Sequence, residues 1–415
     1  MPERKAIKVV SLNHTDYFGG AAKATYRLCE GLNSIGINSI LICNKKTSIN
    51  KNIFEINKLY NNIDKTIIFI KRVWKYSLHK LFKTREIYLN DCSEIKDSIL
   101  YGVLNRMDFD ILHLNWVVGG FVNFLDLKNI SKPIVATLHD SSFFTGVCHV
   151  IDNCDNYKEE CGFCPRLNSS EKKDLSYETY LLKKERYKAL NLTFVSPSNW
   201  MAKKAKSSSL LKNYRIEVIP NGIDTNLYSP LEKKLAKQKL NLDSDKRYIT
   251  FGAVSLLDEN KGYKYITELL QKFKLESDIE FLTFGESATQ VETQNIIRQL
   301  GYIKDEELLV QIYSASEIVI VPSVQESFGQ TALESLSCGT PVVAFKTSGL
   351  TDIIDHKING YLANPFDITD LYNGIDWCLN GDRESICYNA RNKAVSNFDV
   401  KIVAKKYADL FRELT

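Results

Sequence analysis

Short apolar runs rich in β-branched residues recur along the chain. In the first half they are Ile7 to Leu12, Ile37 to Cys43, Asp110 to Trp116, Pro133 to Leu138, Thr193 to Val195 and Tyr214 to Ile219. In the second half they are Tyr248 to Phe251, Glu280 to Phe284, Val319 to Val321 and Val342 to Phe345. Runs of this length and composition predict buried parallel strands. Between them lie stretches with apolar residues at helical spacing. Ala21 to Leu32 and Gln330 to Cys338 predict helices, the second closed by Gly339 and Pro341. Val395 to Leu414 predicts a terminal helix. Strand, loop, helix, strand is the βαβ unit of an α/β fold.

One such unit carries the most chemistry. Pro322 and Ser323 stop its first strand, Glu326 sits in the loop, and Glu334 follows eight positions later on the helix. In open α/β sheets, ligands bind beyond the carboxyl ends of the strands, where loop meets helix N-terminus. The N–H groups of a helix N-terminus favour a phosphate, and Gly329, lacking Cβ, lets backbone approach an anion. Glu334 lies about 7 Å up the helix from Gly329 at 1.5 Å per residue. Two carboxylates able to accept hydrogen bonds from sugar hydroxyls, flanking a phosphate cradle, suit a nucleotide-sugar. The bland alternative is two solvated glutamates, since glutamate is mostly exposed.

A length of 415 residues predicts two or three domains at about 150 each. With 44% hydrophobic and 25% charged residues the chain is globular. A net charge of +4 offers no overall basic excess for nucleic acid. The sequence has no run of 18 apolar residues and opens almost at once into a strand, which predicts neither a transmembrane helix nor a signal peptide. A cytoplasmic location is expected, and with it ten cysteines that are mostly reduced or metal-bound.

Gly19 and Gly20 lie in the first βα turn, where close backbone approach is needed or a tight turn is made. His14 and Asp16 share that loop. His139, with Asp140 after it, ends a parallel strand and is well placed for a ligand; His113 lies inside its strand and reads as a satisfied buried histidine. Lys261-Gly262 opens a helix after a strand and a loop, a place for a cation beside a diphosphate. Cys148, Cys154, Cys161 and Cys164 fall in one short insertion. They admit a closed structural zinc site, a disulfide pair or unpaired thiols. Residues 64–86 hold seven Lys or Arg against two acids, with Ile67, Ile70, Trp74, Leu78 and Leu81 at helical spacing. Such a helix either lies on an anionic membrane surface or packs on its own domain.

The segment Pro322-Ser323-x-x-Glu326-Ser327-Phe328-Gly329, with Glu334 eight on from Glu326, resembles the signature of glycosyltransferase family 4, the retaining GT-B enzymes. Gly301-Tyr302-Ile303, Ile219-Pro220-Asn221-Gly222-Ile223-Asp224 and Gly19-Gly20 match other segments of that family, in order. The resemblance implies two Rossmann-like domains facing a central cleft. Residues 1–222, including the cysteine-rich insertion 148–164, would form the acceptor-side domain, with helix 396–415 packing back on it. Residues 223–395 would form the nucleotide-sugar donor domain. It further implies that Glu326 positions sugar hydroxyls, that Glu334 holds the ribose, and that His139 contacts the transferred sugar. Lys261 with the N–H groups of Phe328 and Gly329 would stabilise the diphosphate; Ser327, Gly19 and Gly20 complete the donor contacts. No catalytic metal is implied. Ala253 stands where the family usually places an arginine.

The expected activity is retaining transfer of a sugar from a nucleoside diphosphate sugar to a carbohydrate or lipid-linked glycan, as in polysaccharide or surface glycan biosynthesis. The alternatives are a nucleotide-sugar epimerase or phosphorylase on the same fold, or a catalytically silent sugar-binding protein.

Overall fold

The computed structural model describes residues 6–60, 98–117, 121–122, 124–272, 278–286 and 296–415. The basic segment 64–86 lies outside the described residues. The chain divides into two compact units. The first runs to Pro197 and adds Met201–Ile219 and Ala404–Thr415; the second holds Ser198–Trp200 and Pro220–Val403.

The first unit is built on a seven-stranded parallel sheet. Its strands are β1 (Lys8–Thr15), β2 (Asn38–Lys45), β3 (Ile53–Glu55), β4 (Ile111–Leu114), β5 (Ile134–Thr137), β6 (Leu192–Ser196) and β7 (Ile216–Val218). They lie in the order β3-β2-β1-β4-β5-β6-β7. β1 therefore has β2 on one side and β4 on the other, both parallel to it. That reversal of strand order is where open α/β sheets bind ligands. β4 and β5 are buried at every position, which is why each reads as a continuous apolar run rather than an alternating one. Thr137 and His113 are the polar exceptions, and His113 is wholly buried. Its ring lies within hydrogen-bond reach of Ser11 Oγ at 3.3 Å and Thr137 Oγ1 at 2.8 Å. Thr137 Oγ1 in turn lies 3.0 Å from the Tyr407 hydroxyl, so the C-terminal segment is tied to the sheet by a buried polar chain. Burial pushes His113 down to about 3, keeping the ring neutral.

The second unit has a six-stranded parallel sheet: β8 (Arg247–Ser255), β9 (Ile279–Glu286), β10 (Ile297–Gln299), β11 (Ile318–Val321), β12 (Val342–Phe345) and β13 (Gly360–Ala363). Its order is β10-β9-β8-β11-β12-β13. Here β8 is flanked by β9 and β11, so the loops after β8 and β11 meet at the reversal. Apolar clusters cover both faces. One gathers Leu333, Leu336 and Phe328 with Val319 and Val321; the other gathers Ile266, Leu269 and Leu371 with Ile318 and Ile320. Alternate residues of β11 thus feed opposite faces, as the two-residue period of a strand requires.

Two expectations need correction. The strand expected to end at Phe251 runs on through Gly252 to Ser255, where the loop before Lys261 was expected, with a shift in register and pairing to β9 as far as Glu286. Gly252 allows this because a Cβ there would sit 2.0 Å from the Phe284 ring. The single terminal helix is two, Arg383–Phe398 and Val400–Leu414. Asp399 leaves the helical region, with ψ 134°. Ile223 N–H donates to Phe398 O at 2.9 Å and Val400 N–H donates to Ile223 O at 2.8 Å. Helical periodicity is blind to this, because the break is made by a backbone partner far away in sequence.

Candidate active site

The loop after β11 is held from both sides. Phe328 buries its ring to 2% exposure, edge-on to Phe398 with centroids 5.5 Å apart. A fully buried Phe side chain contributes about 1.5–3 kcal/mol, enough to fix a short loop. Gly329 then precedes the helix Gln330–Ser337 with φ 117°, a conformation side chains rarely adopt. A Cβ there would also press to 2.8 Å on Leu350. Gly329 is therefore required by the turn that presents the helix N-terminus, whose first N–H groups have no intrahelical partner.

Across the strand-order reversal comes the loop after β8. Asn260 stitches the two loops together: its Nδ2 donates to Gln325 O at 2.8 Å and its Oδ1 accepts from Gln325 N–H at 3.1 Å. Val324 N–H donates to Asn260 O at 2.8 Å. Gly262, with φ 76°, lets the chain pass so close to β11 that a Cβ would meet Pro322 O at 2.1 Å. The result is that Lys261 Nζ donates to Glu326 Oε1 at 2.7 Å. Ser323 Oγ donates to the same oxygen at 2.9 Å. Burial alone would lower the Lys261 pKa, but Glu326 outweighs it and raises the value. Lys261 and Glu326 remain 30% and 16% exposed, so the pair is open to a ligand.

Glu334 lies on the helix but is not a solvated surface glutamate. It is 4% exposed, and the Tyr313 hydroxyl donates to its Oε2 at 3.0 Å. Tyr313 comes from the helix Glu306–Ala315, which Asp305 caps by accepting from Glu307 N–H.

In the first unit, Gly19 precedes the helix Gly20–Ser34 with φ 91°. Asp16 is fully buried, and its carboxylate is spent on Thr47 and Ser48 N–H groups at 2.7 to 3.0 Å, which fixes the loop after β2. His139, half-buried after β5, has Nε2 3.0 Å from Asn115 Oδ1. Burial pushes it down to about 4, so it is neutral near pH 7. Asp140 accepts from Trp116 Nε1 at 2.8 Å, from Ser142 N–H at 2.8 Å and from His149 Nδ1 at 2.6 Å. Trp116, His149 and Asn260 were not singled out by sequence reading. The available signals were a tryptophan just past a strand, a histidine beside the first cysteine of the insertion, and an asparagine preceding Lys261-Gly262.

Cys148, Cys154, Cys161 and Cys164 line one cavity of about 10 Å³. The Cys148 thiol hydrogen-bonds to Cys164, lowering the pKa of Cys164 and raising that of Cys148. Gly146 N–H donates to Cys161 Sγ at 3.1 Å. None of the four is joined in a disulfide. A tetrahedral zinc would need all four sulfurs about 2.3 Å from one centre. Among the described residues no group of three or more His, Cys, Asp or Glu side chains is disposed to hold a metal ion.

Two family models match the chain. Glycosyltransferase Family 4 matches residues 18–227, and Glycosyl transferases group 1 matches residues 232–393. The chain belongs to glycosyltransferase family 4. This glycosyltransferase is 26% identical to an uncharacterised glycosyltransferase of Methanocaldococcus jannaschii, over 85% of this chain and 86% of the relative. It is 30% identical to the D-inositol 3-phosphate glycosyltransferase of Mycolicibacterium smegmatis over 41% of each chain. Among solved structures it resembles HepE of Anabaena in complex with UDP and glucose (TM-score 0.65, 16% identity, 98% of this chain and 100% of that one). It also resembles the sucrose-phosphate synthase of Thermosynechococcus elongatus (TM-score 0.68, 17% identity, 98% and 99%). The glycosyltransferase thus has the two-domain GT-B fold. Among its described residues no helix is long and apolar enough to cross a membrane.

Proposed function

We propose that this glycosyltransferase moves a hexosyl group from a nucleoside diphosphate sugar to a glycan or lipid-linked glycan acceptor, with retention at the anomeric carbon. The observation that carries the reading is the Lys261–Glu326 pair, set where β8 and β11 adjoin, beside the helix that Gly329 opens and Glu334 occupies. The likeness to HepE with bound UDP and glucose supports a nucleotide-sugar as donor.

In this reading Glu334 accepts from the ribose hydroxyls and Glu326 from hydroxyls of the sugar. Lys261 and the N–H groups at Phe328 and Gly329 stabilise the diphosphate as charge builds on it. The bond between the anomeric carbon and the diphosphate oxygen breaks, and its electron pair leaves with the nucleoside diphosphate. The acceptor oxygen bonds to the same face, and its proton passes to the departing phosphate oxygen. Lys261 must release or share Glu326 as the donor enters, so the ion pair holds both groups in place before binding. With Ala253 where the family usually places an arginine, Lys261, fixed by Glu326 and by the Asn260 stitching, is the cation assigned to the diphosphate in this reading.

The first unit is assigned the acceptor. Residues 64–86 are proposed to add contact with an anionic membrane surface, which suits a lipid-linked acceptor of surface glycan assembly. Product analysis by mass spectrometry, with a panel of nucleotide-sugars and a lipid-linked acceptor, tests the proposal. A glycosylated acceptor with the donor's anomeric configuration by NMR is expected. Release of nucleotide with an epimerised sugar and no need for acceptor would identify an epimerase instead, and a strict need for inorganic phosphate would identify a phosphorylase.

A further inference from the structure

Glu326 is held at its side chain by Lys261 and Ser323, and its backbone is held separately. That second hold comes from the loop after β12. β12 pairs in parallel with β11, so the loops that follow the two strands lie side by side. Glu326 N–H donates to Ser348 Oγ at 2.8 Å, and Glu326 O accepts from Gly349 N–H at 2.9 Å. Two consecutive residues of one loop thus take both backbone polar groups of a single residue in the other. The approach is close: a Cβ on Gly349 would lie 2.5 Å from Ser327 O and 2.8 Å from Phe328 Cα. Ser348 is anchored in turn, since Thr351 Oγ1 donates to its carbonyl oxygen at 2.8 Å.

Ser348 makes its bond from an unfavourable conformation. It is buried, with φ 49°, in the left-handed region that side chains rarely adopt. The neighbouring loops meet the same demand with glycine, at Gly262 and Gly329. A glycine at 348 would make the turn without strain, but it would leave Glu326 N–H without this acceptor. Residues kept in sparsely populated conformations persist where the surroundings over-determine them, and they cluster at functional sites. Here the hydroxyl serves the residue whose carboxylate pairs with Lys261. Lys261 must release or share that carboxylate when a donor enters. A hold on the backbone is untouched by that exchange.

We propose that Ser348 is a positioning residue for Glu326. Its hydroxyl oxygen holds Glu326 N–H and, with Gly349, fixes the backbone from which the carboxylate is presented to the donor sugar. The proposal rests on the sugar-transfer reading of Glu326. It adds that the strain at Ser348 serves turnover rather than stability.

Two variants separate strain from hydroxyl. Ser348→Gly removes both and should melt close to the parent, because relief of strain offsets the lost bond and the freer unfolded chain. Ser348→Ala removes only the hydroxyl and should melt lower. Both should slow release of nucleoside diphosphate from UDP-glucose, ADP-glucose or GDP-mannose, whichever the parent uses, by about tenfold. Calorimetric affinity for the free nucleoside diphosphate should stay within about twofold, because Glu326 is assigned to the sugar. In a Glu326→Ala background, Ser348→Gly should cost less than about twofold further, since no carboxylate is left to position. Amide hydrogen exchange at Glu326, read by NMR on glutamate-labelled protein, should quicken about tenfold in both variants. Parent turnover in a folded Ser348→Gly, a full further loss in the Glu326→Ala background, or unchanged exchange at Glu326 overturns the proposal. So does a loss of nucleotide affinity as large as the loss of turnover, which would mean that the whole loop had moved. A parent that releases nucleotide from no nucleotide-sugar strikes the sugar-transfer reading instead, and exchange at Glu326 then judges the hold on its backbone alone.

Discussion

The assignment of Glu334 to the ribose makes a demand that the structure sharpens. Truncation to alanine is a poor test, because the side chain is 4% exposed and accepts from the buried Tyr313 hydroxyl. Glu334→Ala would remove that acceptor and leave a void, and an acceptor lost to a buried hydroxyl costs about 1–3 kcal/mol. A fall in nucleotide affinity could then reflect a displaced helix. Glu334→Gln keeps an oxygen for Tyr313 and nearly the same volume, and removes only the charge. Hydrogen bonds to a charged group are worth about 1.5–3 kcal/mol, against roughly 0.5–1.5 kcal/mol for neutral ones. Where the carboxylate accepts two ribose hydroxyls, the exchange should cost about 1–3 kcal/mol, or roughly five- to hundredfold in dissociation constant. Tyr313→Phe is the companion: it removes the same bond from the other side and should lower stability by about 1 kcal/mol while changing nucleotide affinity less than twofold. Calorimetry with whichever of UDP, ADP and GDP the parent binds, alongside urea unfolding, measures both. Glu334→Gln with parent affinity and parent stability would refute the ribose assignment; a loss of affinity in Tyr313→Phe equal to that in Glu334→Gln would show that the carboxylate acts only by holding its helix.

Three further outcomes are expected. Lys261→Met should weaken nucleoside diphosphate binding about tenfold and reduce turnover further, since Glu326 then faces the diphosphate without its cation; Lys261→Arg should recover part of the loss, and normal kinetics in Lys261→Met would remove the lysine from the reaction. His113 and His139 are held neutral by burial at about 3 and about 4, below the unfolded value of about 6.5. The unfolded chain therefore binds more protons below that value, so stability should fall as pH drops from about 6.5 towards 4, with up to about 1.4 kcal/mol per pH unit for each ring; urea unfolding at pH 7, 6 and 5 that shows no such fall would contradict the buried neutral state. Charge reversal at Lys71, Arg72 and Lys75 should release the protein from anionic vesicles at low salt while leaving nucleotide affinity intact, and a parent protein that never sediments with those vesicles would remove the membrane reading of residues 64–86.

Much of the protein was determined locally, and that part is legible in the sequence. A strand buried on both faces must be apolar throughout, so β4, β5, β11 and β12 announce themselves as short runs. Gly329 caps the helix that carries Glu334, so 1.5 Å per residue is enough to place those two relative to each other, with Glu326 in the loop just before. The roles of partners distant in sequence were decided by the tertiary structure alone. Lys261 meets Glu326 across 65 residues only because β8 and β11 are neighbours in a sheet whose order no local pattern encodes. Glu334 is buried rather than solvated because the helix bearing Tyr313 packs over it. The terminal helix breaks at Asp399 because Ile223 supplies a backbone partner there. Trp116, Asp140 and His149 come together because β4 lies beside β5 and an insertion folds back on their ends. Periodicity and spacing report what the backbone does over a turn or a strand; which strands adjoin is settled by the burial of whole faces, and that places the charges and rings that meet at their ends.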